Sequence, residues 1–116
     1  MTDLFDWREG AELRDRGMAV AEAAQERDAP GWSDRAYAAI VRVARAQPTV
    51  HIDDVRLVFD EEAPGHPRAW GAVWARAIRD GVIEPTGMVR KTTDPRKHCH
   101  PCPVYRSLVY GAEMIA

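Results

Sequence analysis

The stretch from Pro67 to Gly87, PRAWGAVWARAIRDGVIEPTG, limits the possible folds of this chain more than any other. Pro67 suits the first position of a helix, where its missing N–H is no loss, and Asp80-Gly81 suits the end. At about 100° per residue, Trp70, Val73, Trp74, Ala77 and Ile78 fall within an arc of about 140°. That face is a core face. The opposite side carries Arg68, Ala72, Ala75 and Arg79, with Gly71 and Arg76 at its margins. Small residues let a helix backbone approach a groove closely, and arginines reach phosphates or guanine edges. From Val82 on, β-branched and proline-punctuated sequence replaces the helical period.

The segments before this helix supply its partners. Trp7 to Arg27 reads as a helix rich in Ala, Glu and Arg. Its apolar pattern is thin, with Leu13, Val20 and Ala24 on one stripe and Trp7, Ala11 and Met18 on another. Such a helix needs a partner surface, in its own domain or in a second subunit. Asp28–Trp32 (DAPGW) is a break. Ser33 is expected to cap the next helix, which carries Tyr37, Ile40, Val41 and Ala44 at helical spacing and stops at Gln47-Pro48. Thr49–Ile52 (TVHI) is short and extended. Asp53 and Asp54 open another helix, where carboxylates suit the positive end of the dipole, and Ile52, Val55 and Phe59 form its core stripe. Ala63–Pro67 (APGHP) is a turn. After the Pro67–Asp80 helix, MVRKTT and PVYRSLVY are expected as two strands joined by the tip DPRKHCHPC.

These elements predict a mainly α fold with a small β-hairpin, an α+β class. The expected divisions are an acidic N-terminal helix and linker over residues 1–31, a compact domain over 32–110 and a tail over 111–116. Helix, short strand, helix, turn, helix and hairpin follow the order of a winged helix-turn-helix.

Charge is divided along the chain. Residues 1–30 hold eight acidic and four basic side chains, whereas residues 68–106 hold eight basic and three acidic. The net charge is only −2, so a nucleic-acid surface has to be local. Arg68, Arg76, Arg79, Arg90, Lys91, Arg96 and Lys97 are its candidate cations, and Thr92 and Thr93 are neutral phosphate donors. No apolar run approaches the ~18 residues of a membrane span. The first ten residues lack the basic and apolar regions of a signal peptide, and two cysteines without such a signal point to a reducing cytoplasm.

The segments IDDVRLVF, HPRAWGAVWARAIRDGVIEPTG and RKTTDPRKHCHPCPVYRSL resemble the small winged-helix proteins encoded by actinobacterial phages and prophages. The resemblance spans roughly residues 33–108. It implies double-stranded DNA as partner, Arg68 to Arg79 as the recognition helix and Arg90 to Lys97 as the wing. It names no role; a phage or prophage regulator or accessory factor is expected, with transcription, excision and replication all open. His51 departs from the pattern, because it stands where Ser or Thr would cap a helix better.

Cys99-His100-Pro101-Cys102, with His98 beside it, has the spacing of a thiolate pair for zinc. A structural zinc takes four ligands, and the chain has no second C-x-x-C and no H-x₃-H. Residues 98–100 cannot all turn toward one ion without strain, and His51 or His66 completes a site only by folding close to the tip. A thioredoxin-type dithiol belongs at a helix N-terminus and not between prolines. No metal and no cofactor is therefore expected. Asp60–Glu62 (DEE) reads as a solvated helix end, and no phosphate loop or nucleophile triad can be proposed, so no enzyme is expected. Two rivals stand beside DNA binding. One is a protein-interaction module that binds a host protein through the same fold and the acidic N-terminal helix. The other is a small metal-dependent enzyme using the His/Cys cluster. A homodimer through the N-terminal helix fits the DNA reading, since one small domain reads few base pairs.

Overall fold

The computed structural model describes residues 3–59, 68–93 and 101–111, with side chains in the first helix from Arg14 onward. Among these residues are four helices and a three-stranded antiparallel sheet, an α+β arrangement. The helices are α1 (Asp3–Asp28), α2 (Trp32–Ala46), α3 (Ile52–Val58) and α4 (Ala69–Arg79). The strands are β1 (Thr49–Val50), β2 (Ile83–Lys91) and β3 (Pro101–Ser107). The sheet order is β1-β3-β2, with Val50 opposite Tyr105 and Ile83 opposite Ser107.

The strands depart from expectation in three ways, the first being that β3 starts two residues before PVYRSLVY and stops three residues short of its end. The short extended segment joins the hairpin as a third strand, because β1 pairs with β3. β2 also begins at Ile83, five residues before the expected MVRKTT strand. Pro85 is tolerated there because β2 is an edge strand and has one side free of ladder bonds. The register slips between Pro85 and Val89. Gly87 takes φ 80° in this bulge, and the Thr86 hydroxyl donates to the Val104 carbonyl at 2.6 Å. The extra residue bends the strand, and glycine adopts the left-handed turn without strain.

The core is aromatic at its centre. Trp32 from α2, Phe59 after α3 and Trp70 from α4 meet edge to face, with centroids 5.2–6.2 Å apart. Trp74 extends the chain of rings outward and stacks on Tyr105 of β3 at 4.8 Å. Ile40, Val50, Val55, Val73 and Ile83 are fully buried around them. Each large ring removes 150–250 Å² from water, and edge-to-face pairs add about 0.5–1.5 kcal/mol. The expected core face of α4 is thus present at Trp70, Val73 and Ala77, while Trp74 is half-buried and Ile78 is exposed.

The capping of α2 corrects the sequence reading. Ser33 lies inside the helix, and the cap position is Gly31 at φ 83°. The acceptor is supplied by α1. The Glu26 carboxylate takes the N–H groups of Gly31 at 3.0 Å and Ser33 at 2.7 Å, and the Ser33 hydroxyl donates to Glu22. A carboxylate carried by a neighbouring helix replaces the local hydroxyl cap. The bonds from Ser33 and Gly31 also hold the Glu26 pKa below its ordinary 4.5.

α1 accordingly lies on the domain. Met18, Ala21 and Gln25 pack against the domain, and Val20 is exposed, so the expected stripe through Val20 does not dock as a whole, while the side chains of Trp7, Ala11 and Leu13 lie outside the described residues. The pattern looked thin because small and polar residues make this contact. No helix among the described residues is long and apolar enough to cross a membrane.

Candidate nucleic-acid interface

α4 and the end of β2 carry the residues expected to meet nucleic acid. α4 follows Arg68 and contains no acidic residue in its first turn. Its outer surface is narrower than the wheel suggests. α1 crosses it on one side, and a Cβ added at Gly71 would collide with Met18 Sδ. α2 flanks the other side, where the Arg76 guanidinium lies 4.0 Å above the Tyr37 ring and 3.0 Å from the Asp34 carboxylate. Arg68, Ala75 and Arg79 are exposed between these flanks, and Ala72 is half-buried. Arg76 is partly exposed, and its guanidinium is engaged at the surface by Asp34 and Tyr37.

The base of the hairpin is pinned by the start of α3. His51 is completely buried and forms a capping box. Its Nδ1 accepts from the Asp53 N–H at 3.1 Å, and its own N–H donates to the Asp54 carboxylate at 3.1 Å. An accepting Nδ1 leaves the proton on Nε2, which lies 3.0 Å from the Arg90 carbonyl oxygen. The departure at His51 therefore strengthens this helix start, since one imidazole both caps the helix and ties it to β2. Serine is too short to do both.

Asp53 and Asp54 act on the same strand. The Thr92 hydroxyl donates to Asp53 at 2.7 Å, the Thr93 N–H donates to it at 2.9 Å, and Arg90 pairs with Asp54 at 3.4 Å. Burial pushes the Asp53 carboxyl up, but these two hydrogen bonds and the neighbouring positive charge outweigh it, and its pKa lies below 3.8. Thr92 is 2% exposed, so its expected role as a phosphate donor is corrected. Its hydroxyl is committed to Asp53. Arg90 keeps about half of its side chain in solvent, and Lys91 is exposed. Arg96, Lys97, Asp60–Glu62, His66, Pro67, His98, Cys99 and His100 lie outside the described residues.

The internal pairing leaves a defined remainder. Asp34, Asp54 and Glu84 engage Arg76, Arg90 and Arg106, and Asp80 accepts from Tyr37 at 2.8 Å. No carboxylate of the described residues pairs with Arg68, Arg79 or Lys91. Sequence reasoning passed over Arg42 and Arg45, which are exposed on α2 beside Tyr37, and Arg14 of α1. The arginines of α2 show an i, i+3 spacing that was legible, but nothing in the sequence placed Arg14 near α4.

Cys102 is half-buried near the start of β3. Among the described residues no three His, Cys, Asp or Glu side chains group as metal ligands. Comparison with protein families, with curated proteins and with solved structures finds no match to this chain.

Proposed function

We propose that this chain is a winged-helix protein that binds double-stranded DNA, with α4 toward the major groove and the β2–β3 hairpin along the backbone. The order α2, β1, α3, α4, β2, β3 supports the winged-helix reading. The observation that carries DNA binding is the set Arg68, Arg79 and Lys91, on α4 and the strand that follows it, with which no carboxylate of the described residues pairs. Asp34, Asp54, Asp80 and Glu84 are engaged by internal partners, which supports a locally positive surface although the whole chain is acidic. Arginine and lysine so placed neutralise phosphates and release counterions.

Fluorescence anisotropy with a labelled duplex of arbitrary sequence tests this reading. Affinity is expected to fall linearly with log salt between about 50 and 200 mM, with a slope of about 0.9 for each phosphate contacted. Absence of salt-dependent binding overturns it. The second reading is a protein-interaction module, and one observation favours it: α1 already covers the Gly71 side of α4. A helix docked there supports a face suited to protein contact.

A further inference from the structure

We infer that Arg14 of α1 and Arg68, at the start of α4, form a two-pronged site for one backbone phosphate, so that α1 belongs to the DNA surface. This rests on the DNA-binding reading above. The two arginines line one open cleft of about 570 Å³, together with Met18 and Gly71. Both are exposed, and no carboxylate of the described residues pairs with either. The Arg68 guanidinium lies across α1, its Nη1 3.6 Å from where a Cβ at Gly17 would stand. Gly17 and Gly71 thus clear the seam on both helices, and Met18 closes its bottom.

The chemistry of this cleft suits a phosphate diester. Two guanidiniums on the rim supply charge and forked N–H donors, and the Met18 and Gly71 lining offers no competing acid. Where α1 crosses α4 its sequence is charge-balanced, with Arg14 and Arg16 against Glu12 and Asp15. Its later carboxylates, Glu22 and Glu26, are engaged at the start of α2. With its head held over α1, Arg68 is placed for phosphate and not for a base edge, leaving Ala72, Ala75 and Arg79 as the strip nearest the groove.

Anisotropy salt titrations of wild type, Arg14→Ala, Arg68→Ala and the double variant test the site, with Lys91→Ala as reference. Each single variant at the cleft is expected to lower the slope by about 0.9, and the double variant by no more than that, because both prongs serve one phosphate. Arg14→Lys should keep the slope, because it keeps the charge. If wild type binds and Lys91→Ala lowers the slope while Arg14→Ala does not, the inference falls and the DNA reading stands. If wild type shows no salt-dependent binding, both fall. Inorganic phosphate at constant ionic strength is the second probe. Thermal stabilisation of wild type that is lost in the double variant would assign the cleft to a small free phosphate and overturn the backbone assignment. Unchanged thermal unfolding in phosphate is the expected result.

Discussion

His51 and Arg90 are 39 residues apart in the chain, and the His51 Nε2 atom lies 3.0 Å from the Arg90 carbonyl oxygen. The same imidazole caps α3 through Nδ1, so one buried side chain fixes the position of the hairpin base relative to α3. His51→Ala removes the cap and leaves the Arg90 carbonyl without this donor, at an expected loss of about 2–4 kcal/mol in urea unfolding. His51→Asn restores an acceptor for the Asp53 N–H and should recover about 1 kcal/mol of that loss. Equal stability of wild type and His51→Ala would show that the joint is not a structural element.

Thr92 and Lys91 are neighbours with opposite roles. Thr92→Val removes the bond to Asp53 and should cost about 1–2 kcal/mol in stability, with the salt slope of DNA binding unchanged. Lys91→Ala should leave urea unfolding unchanged and lower that slope by about 0.9. Unfolding curves and anisotropy titrations on both variants check the crossed pattern, and a lower slope in Thr92→Val would return the hydroxyl to the DNA surface.

Trp70 and Trp74 should separate in the same way. Trp70 is 9% exposed and touches three rings, so Trp70→Ala is expected to cost about 3–5 kcal/mol. Trp74 is half-buried and stacks on Tyr105, and Trp74→Ala should cost less, about 1–3 kcal/mol. Comparable losses measured in urea would place both rings equally in the core.

Acid should loosen the joint between α1 and α2. The Glu26 pKa is depressed in the folded chain by the N–H groups of Ser33 and Gly31. A depressed carboxylate contributes stability that is fully present above its ordinary value of 4.5 and is lost as pH falls through the folded value. Glu26→Gln should therefore lower stability near neutral pH and flatten the decline of stability below pH 4.5. Thermal unfolding of both proteins across the acid range checks this, and parallel curves would remove Glu26 from the joint.

The periodicity of the Pro67–Gly87 stretch determined α4, the Trp70, Val73 and Ala77 part of its core face and the turn at Gly81, because those depend on local spacing and on one residue's backbone freedom. The extended Thr49–Val50 and the helix after His51 were legible for the same reason. Which residues stand free at the surface was decided by tertiary structure. Arg76, Thr92 and Arg90 look alike in sequence as donors for phosphate. Asp34 with Tyr37, Asp53 and Asp54 claim them only because α2 and α3 come to lie beside α4 and β2. The docking of α1 was hidden too, since its contact uses Met18, Ala21 and Gln25 against a glycine in α4 and leaves Val20 outside. A helix that docks through small and polar residues carries little apolar period, and its partner surface exists only once the rest of the chain has folded.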